Sequence, residues 1–324
     1  MRRTILGLAG AATLMAATAT AASADCGEVS ISEMNWASGT VVTAVSKFLL
    51  ESGYGCTVKK VPSATVPVVT SLSETGKPDI ATELWLNGAA ALPKMIKDGK
   101  VVELTRVLSD GGVEGWYVPD YLVAKHPELK TIEGVLKNPE LVGSRFHQCP
   151  SGWGCEIANA SLIKAFELDK NGFEVFQHGS GETLATSIAS AYAEKKPWFG
   201  YYWAPTAVLG KYPMVRVDLG PVDEKVHACN ADKTCEKVGK SQFPASPVAT
   251  VVTTGFLDRA PAAAELMRHV AFTNKQMGEV LAWKEANRAS ADEAAVYFLQ
   301  NYKDVWSKWI NEDAKKKLAG LLAE

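Results

Sequence analysis

The sequence predicts an α/β protein of two lobes, and three features of the chain indicate this fold. Short strand-like runs alternate with helical patterns from residue 29 onward, and such alternation is typical of mainly parallel sheets. Three glycines among the five residues 111–115 interrupt the alternation and indicate a crossing or hinge, after which a second series begins. About 300 residues follow the leader described next, and this length is sufficient for two hydrophobic cores.

The first 24 residues have the pattern of a secretory signal peptide. A short basic start precedes an uncharged apolar run, and residues 22–24 (Ala-Ser-Ala) match an A-x-A cleavage site. We therefore expect an exported protein that is cleaved after Ala24 and begins at Asp25. The alternative is a lipid anchor on Cys26, to which the acidic Asp25 is a poor fit.

Composition and motifs exclude several functions. The formal net charge of −2 becomes −4 when the two leader arginines are removed, and this balance disfavours a nucleic-acid or membrane-surface partner. The sequence has no Walker loop, no G-x-G-x-x-G, no G-x-S-x-G and no H-E-x-x-H. We therefore expect neither an enzyme nor a cofactor.

The six cysteines fall into three pairs of near neighbours, as expected for disulfides in an exported protein. The pairs are Cys26 with Cys56, Cys149 with Cys155, and Cys229 with Cys235. Six cysteines allow 15 connectivities, so spacing alone leaves the pairing open. A metal site is disfavoured, because no C-x-x-C occurs and the five histidines are scattered.

Residues 25–112 are predicted to form the first part of lobe 1. Strands are expected at 29–34, 57–61, 80–85 and 101–107, with helices between them. The boundaries follow from glycine and proline, which end these runs or open the next helix.

Residues 113–215 are predicted to form lobe 2. This second series has expected strands at 133–136, 144–149 and 173–177, and helices at 156–166 and 182–194. It ends in the segment 196–205, which has five aromatic rings within six positions, a pattern that disfavours a plain core strand. Pro205 prevents further ladder pairing, so we expect this strand to end by presenting Trp203 to a partner.

Residues 216–324 are predicted to return to lobe 1. A polar, turn-rich excursion at 221–245 contains the third cysteine pair, a strand follows at 248–253, and helices complete the chain.

Five tryptophans are expected near strand ends, where open α/β sheets bind ligands. A tryptophan face attracts a diffuse positive charge such as a methylated ammonium group. We therefore expect these rings to converge on one ligand in a cleft between the lobes: Trp36, Trp85, Trp116, Trp153 and Trp203. The remaining tryptophans are expected to pack in cores: Trp198, Trp283, Trp306 and Trp309.

Three segments resemble the extracytoplasmic substrate-binding proteins of uptake transporters for quaternary amines, the glycine betaine and choline type. They are residues 35–39 (Asn-Trp-Ala-Ser-Gly), 79–85 (Asp-Ile-Ala-Thr-Glu-Leu-Trp) and 203–205 (Trp-Ala-Pro), and the resemblance extends over essentially the whole mature chain. It implies a type II periplasmic-binding-protein fold with a hinge and a ligand cleft between the lobes. It also implies a periplasmic monomer that serves an ABC permease in the inner membrane.

The same resemblance implies an aromatic cage for a trimethylammonium group. Trp36, Trp85 and Trp203 match the family's cage, with Trp116 and Trp153 next. Residues 149–155 depart from the commonest members and are more similar to the branch that binds trimethylamine N-oxide, so the ligand stays open between these classes.

Polar neighbours of the tryptophans are expected to distinguish the ligands. Glu83 and Glu114 each lie two residues before a tryptophan, so in an extended strand each shares a face with that ring. A carboxylate favours a cation such as choline, or an N-oxide if a proton is shared, and repels the carboxylate of a betaine. Ser38 and Gly39, at a helix start, offer N–H groups suited to that carboxylate. The alternative is that both glutamates are solvated or salt-bridged strand ends.

The sequence thus predicts the solute-binding component of an ABC importer that captures glycine betaine, proline betaine or choline. The alternative ligand is trimethylamine N-oxide. A secreted hydrolase or lyase acting on such a compound is the alternative of another class.

Overall fold

The computed structural model describes residues 26–323, so the predicted leader and its cleavage site lie outside the described residues. Within this range the strands are β1 (Glu28–Met34), β2 (Thr57–Ser63), β3 (Ile80–Trp85), β4 (Val101–Pro119), β5 (Arg145–Gln148), β6 (Glu174–Gln177), β7 (Gly200–Ala204), β8 (Met214–Arg216) and β9 (Ser246–Thr253). They form a single sheet in the order β2-β1-β3-β9-β4-β7-β5-β6, with β8 paired to β4.

Helices connect the strands and cover the sheet. In the first part of the chain they are α1 (Ala37–Tyr54), α2 (Thr65–Thr75), α3 (Leu92–Lys97), α4 (Asp120–Lys125), α5 (Ile132–Lys137), α6 (Gly154–Ala165), α7 (Gly181–Glu194) and α8 (Ala207–Lys211). The later ones are α9 (Glu224–Asn230), α10 (Thr254–Arg259), α11 (Pro261–His269), α12 (Asn274–Asn287), α13 (Ala291–Asn301), α14 (Lys303–Trp306), α15 (Glu312–Lys317) and α16 (Ala319–Ala323). Short 3₁₀ turns occur at Leu86–Gly88, Pro127–Lys130 and Pro139–Val142.

Strand β4 joins the two lobes. Its residues up to Gly112 pair with β9, whereas its residues from Val113 pair with β7 and then β8. We call the part built on β1, β2, β3 and β9 lobe 1, and the part built on β5, β6, β7 and β8 lobe 2. The predicted crossing at residues 111–115 falls where β4 changes its pairing partner, and the strand continues through the glycines.

These glycines make room for neighbouring side chains. A Cβ at Gly112 would lie 2.1 Å from the Trp85 ring, and a Cβ at Gly115 would lie 2.6 Å from the Arg216 side chain. These positions need glycine because a side chain would overlap its neighbours, and not because the backbone turns there. The strand can therefore continue through them.

The sheet is mixed rather than mainly parallel. β1 is parallel to β2 and β3, and β5 is parallel to β6 and β7, as the alternating pattern predicts. β9 and β4 are antiparallel to each other and to β3 and β7, respectively. The reason is topological, because β4 leaves lobe 1 while β9 returns to it.

Two predicted boundaries are corrected. Residues 133–136 belong to helix α5, whose first turn is capped when the Thr131 hydroxyl accepts the N–H of Gly134 at 3.2 Å. The chain returns to lobe 1 at β9 rather than at residue 216, because β8 pairs with β4 in lobe 2. Helix α9, within the predicted excursion, also packs on lobe 2, where Ser161 Oγ donates to the Asn230 carbonyl at 2.9 Å.

The aromatic segment is a buried interior strand. β7 lies between β4 and β5, and its aromatic rings are buried. The expectation that this segment is not a core strand is therefore wrong. Its end at Ala204, directly before Pro205, is as predicted.

All six cysteines lie within the described residues, and all are paired as predicted. The disulfides are Cys26–Cys56, Cys149–Cys155 and Cys229–Cys235.

Candidate functional site

Four of the five predicted tryptophans line one cavity between the lobes. Trp36 and Trp85 come from lobe 1, and Trp153 and Trp203 come from lobe 2. The Trp36 and Trp153 ring centroids lie 5.2 Å apart, and those of Trp153 and Trp203 lie 5.0 Å apart, both edge to face. The rest of the lining is Thr65, Gly88, Glu114, Gly154, Cys155 and Tyr201.

Strand direction explains why these four rings meet. Trp36 follows β1, Trp85 ends β3, Trp153 follows β5 and Trp203 is the penultimate residue of β7. These strands carry their carboxyl ends to the cleft, which is where α/β sheets bind ligands. Trp36 and Trp153 are also the N-cap residues of α1 and α6, so the same turns that start these helices present the rings.

Trp116 does not reach this cavity. It is fully buried in lobe 2, packs on Phe146 with ring centroids 4.6 Å apart, and donates its indole N–H to Asn159 at 2.8 Å. The reason lies in β4, which runs antiparallel to β7. β4 enters lobe 2 at the cleft. A residue farther along this strand, such as Trp116, therefore lies farther from the cavity.

Glu114 lies at the cavity, two pairs of the β4–β7 ladder nearer the cleft than Trp116. It is opposite Trp203 in the β4–β7 ladder and accepts a hydrogen bond from the Tyr201 hydroxyl at 2.8 Å. Burial raises the pKa of Glu114, although the bond from Tyr201 and the positive charge of Arg216 oppose the shift. The carboxyl therefore tends toward its neutral form, which can donate a hydrogen bond.

Glu83 lies behind two of the rings rather than in the cavity lining. Its Oε1 accepts the indole N–H of Trp36 at 2.6 Å and that of Trp85 at 3.4 Å. The hydroxyl of Ser38 donates to the same oxygen at 2.6 Å. Desolvation by complete burial raises the pKa of Glu83 to about 7. Neither the solvated nor the salt-bridged alternative applies to this residue.

The start of α1 was predicted to offer its N–H groups to a ligand, but it does not face this cavity. The Ser38 hydroxyl is used by Glu83, and Gly39 is packed so closely that a Cβ there would lie 2.8 Å from Met34 Cβ and 3.0 Å from Trp36 Nε1. The helix terminus therefore faces the Glu83 carboxyl and the end of β1. Ser38 contributes instead to a neighbouring outer cavity.

The outer cavity has a volume of about 350 Å³ and lies beside the first, with Trp36 and Trp203 lining both. Helices α7, α8 and α12 supply most of its other walls. At its rim Lys211 of α8 and Glu285 of α12 form an exposed ion pair at 3.2 Å.

The loop closed by the Cys149–Cys155 disulfide carries contacts between the lobes. The indole N–H of Trp153 donates to Asn35 Oδ1 at 2.7 Å, and the Gly152 carbonyl accepts the N–H of Val66 at 3.0 Å. Gly88 and Gly154 lie against each other, since a Cβ on Gly88 would be 2.7 Å from Gly154 Cα. The contacts of this loop thus join lobe 2 to lobe 1 around the cavity.

Two residues at the end of β5, His147 and Cys149, are held by contacts outside the cavity. His147 donates or accepts at His178, with 2.9 Å between ring nitrogens, and stacks on Trp198 with centroids 5.1 Å apart. Cys149, which would be the nucleophile of an enzyme, is in a disulfide. In residues 26–323 no group of three or more His, Cys, Asp or Glu side chains is arranged to hold a metal ion. No helix in this part of the chain is long and apolar enough to cross a membrane.

Sequence reasoning missed Tyr201 and Thr65. Tyr201 is two residues before Trp203 on the same strand, so the alternation of side chains places both rings on one face. Thr65 is the first residue of α2 and directly follows the loop after β2, a position equivalent to that of Trp36 after β1.

Comparison with known proteins identifies the family. Residues 27–301 match the family described as the substrate binding domain of ABC-type glycine betaine transport system. The chain belongs to this family. The description of the family is that of a substrate-binding domain of a transport system.

Two kinds of relatives agree with this assignment. The glycine betaine/proline betaine-binding periplasmic protein of Escherichia coli (strain K12) is 26% identical over 180 residues, which are 51% of each chain, so this chain spans about half the length of that relative. The structure of the glycine betaine, L-proline binding protein from Borrelia burgdorferi has a TM-score of 0.73 and 18% identity, covering 90% of this chain and 99% of that one. A choline-binding ABC transporter protein in complex with choline has a TM-score of 0.72 and 18% identity, covering 91% and 98%. The structural matches establish the two-lobed binding-protein fold.

Proposed function

We propose that this chain is the periplasmic solute-binding protein of an ABC importer and captures a small methylated ammonium compound between its lobes. The supporting observation is one cavity lined by two tryptophans from each lobe. The compounds in this class are glycine betaine, proline betaine and choline. The partner is an ABC permease, to which the chain delivers the ligand as a monomer after cleavage behind Ala24.

The ring arrangement suits a diffuse cation. Each indole face contributes about 1 to 2 kcal/mol to binding a desolvated ammonium group. Four rings therefore give about 4 to 8 kcal/mol, which reaches the micromolar range. Since the rings come from both lobes, the full set of contacts forms only when the lobes are together, and ligand binding shifts the equilibrium toward that state.

The size of the cavity requires movement on binding. Its volume is about 30 Å³, room for about two water molecules. A trimethylammonium group is larger, so the lobes open to admit it and the rings rearrange to hold it. The glycine contact and the Trp153–Asn35 hydrogen bond are at the junction that opens for entry and forms again around the bound ligand.

Trimethylamine N-oxide is a second candidate, and Glu114 is the observation that favours it. Burial raises the pKa of this carboxyl, so the neutral form is available to donate a hydrogen bond to the N-oxide oxygen. An ionised Glu114 would instead favour choline and repel a betaine carboxylate. The two states predict opposite pH trends, with N-oxide affinity falling and choline affinity rising as the pH increases.

The test is calorimetric titration of the mature protein with glycine betaine, choline, carnitine and trimethylamine N-oxide. We expect at least one to bind in the micromolar range, and Trp203→Ala to weaken that binding at least about tenfold, the loss of one ring contact. Trp283→Ala is the matched control, because this indole stacks on Tyr297 with centroids 4.4 Å apart and lines neither cavity. Absence of binding by all four compounds would refute the proposal. Conversion of the compound to a product, detected by NMR after incubation with the protein, would instead favour an enzyme.

A further inference from the structure

An irregularity in β3 determines where the side chain of Glu83 lies. The β3–β9 register shifts between Ala81 and Leu84, and Glu83 has a φ of 49°, in the left-handed region that residues with a side chain seldom adopt. Such a bulge re-aims a side chain, and the strained backbone costs on the order of 1 kcal/mol. The strand therefore adopts an unfavourable conformation at the residue that contacts two of the rings.

The contacts of Glu83 are concentrated on one oxygen. Three donors reach Oε1, two of them the indole N–H groups of Trp36 and Trp85. Within residues 26–323 the other oxygen, Oε2, is buried and has no hydrogen-bond partner. A carboxyl whose only role was to join α1 to β3 would be better served by an uncharged acceptor, because burying a charge with an unpaired oxygen is costly.

We propose that Glu83 determines the preference of this site for a cation, by orienting Trp36 and Trp85 through their N–H groups and placing a negative charge behind both rings. The inference rests on the proposed function and extends it to a residue that does not line the cavity. Glu83 is therefore a positioning residue for the two rings, and its negative charge also attracts the bound cation.

The physical basis is that the carboxylate polarises the two rings and attracts the cation through space. A hydrogen bond from an indole N–H to a carboxylate is charge-assisted, and in a low-dielectric interior it polarises the ring toward a more negative face. The unit charge also attracts a cation directly, and this attraction is strong where water is excluded. The N-terminus of α1, with its partial positive charge, lies beside the carboxylate and stabilises its ionised form.

The surroundings allow the charge of Glu83 to change near neutral pH. Burial raises the pKa of Glu83 to about 7, so the carboxyl is mainly neutral at pH 5.5 and mainly ionised at pH 8.5. The charged groups on neighbouring elements are Glu33 with Lys60, Lys47 with Glu51, Asp79 with Arg259, and Glu114 across the cavity. The first three are ion-paired, so Glu114 is the group whose titration has to be separated from that of Glu83.

Tetramethylammonium is the probe, because its charge is fixed and it has no polar group. Its affinity is measured by calorimetry at pH 5.5 and 8.5 for the mature wild-type protein and for Glu83→Gln, which keeps an acceptor for the indoles and removes the charge. We expect wild-type affinity to be about tenfold higher at pH 8.5, whereas Glu83→Gln binds weakly at both. Glu114→Gln should lower the affinity at both pH values, because this residue lines the cavity, but a higher affinity at pH 8.5 than at pH 5.5 should persist.

A second measurement requires no variant. Since cation binding favours the ionised carboxyl, wild-type protein at pH 7 should release protons when it binds tetramethylammonium, as titrations in two buffers of different ionisation enthalpy reveal. Wild-type affinity that is equal at both pH values, absence of proton release, or a Glu83→Gln protein with wild-type affinity at pH 8.5 would each overturn the inference. If the pH dependence of affinity were lost in Glu114→Gln but kept in Glu83→Gln, it would be assigned to Glu114. Failure of the proposed function is distinguishable, because wild-type protein would then bind neither tetramethylammonium nor the four natural compounds.

Discussion

Replacing Gly88 by alanine should weaken ligand binding while leaving the fold intact. A Cβ at this position would lie 2.7 Å from Gly154 Cα and 3.2 Å from the Gly154 carbonyl carbon. Both are backbone atoms of the other lobe, so a rotamer change cannot relieve the overlap. An ordinary contact needs about 3.5 Å, and the lobes would have to separate by nearly 1 Å at this point.

The cost falls on the closed state alone. Gly88 does not have a positive φ, so alanine is compatible with its backbone, and the open protein loses no contact. Overpacking of this kind costs about 1 to 3 kcal/mol, which corresponds to about 5- to 150-fold in ligand affinity. We therefore expect Gly88→Ala to have the thermal stability of the unliganded wild-type protein and a much larger dissociation constant.

The assay combines calorimetry with small-angle X-ray scattering, which reports the contraction of the protein when ligand is added. Gly278→Ala is the matched control, because that glycine lies in α12 and has no heavy atom within 4 Å of a Cβ placed there. If Gly88→Ala bound ligand as tightly as the wild type, the contact between the glycines would not belong to the ligand-bound arrangement, and this reasoning would be refuted.

Three further predictions concern other parts of the site. Trp116→Phe should lower the free energy of unfolding by about 2 kcal/mol, through a lost buried hydrogen bond and some packing, without changing the ligand affinity; a large affinity loss would contradict its placement in the core. Folding favours neutral Glu83, whose pKa rises from its ordinary 4.5 to about 7, so this residue should lower wild-type stability by about 3 kcal/mol as the pH rises through this window; urea unfolding at pH 5 and 8.5 should show a fall smaller by about that amount in Glu83→Gln. Replacing Cys149 and Cys155 by serine should weaken binding because their loop carries Trp153, whereas loss of the N-terminal disulfide should lower stability alone; equal affinities in the two variants, by calorimetry, would argue against this.

The sequence was sufficient to find the rings that follow parallel strands. Trp36, Trp85, Trp153 and Trp203 were predictable because a strand, a turn and a helix start can each be recognised locally, and the carboxyl ends of parallel strands meet at one edge. Trp116 was misplaced because strand direction is not a local property. Nothing near residue 116 shows that β4 runs against its neighbours, which depends on the distant strand β9.

The role of Glu83 illustrates a second limit. The rule that residues two apart share a strand face assumes regular pleating, and β3 departs from it at this residue, as the positive φ shows. A bulge has no clear signature in the run of residues 80–85, where every side chain is buried. The sequence could therefore indicate that a carboxyl lies near the rings, but not that it lies behind them.

The polar contacts that join the lobes are individually weak. The hydrogen bonds from Trp153 to Asn35 and from Val66 to Gly152 contribute about 1 kcal/mol each, and the exposed pair of Lys211 and Glu285 contributes at most about 1 kcal/mol. Each of these contacts is weak, so we expect the open and closed arrangements to differ by only a few kcal/mol without ligand. The rings can then decide the equilibrium, because a ligand that contacts both lobes adds several kcal/mol to the closed state and none of these contacts to the open one. Stronger contacts between the lobes would close the protein without ligand. With weaker contacts, part of the free energy of ligand binding to the rings would be used to close the lobes, and the ligand affinity would be lower.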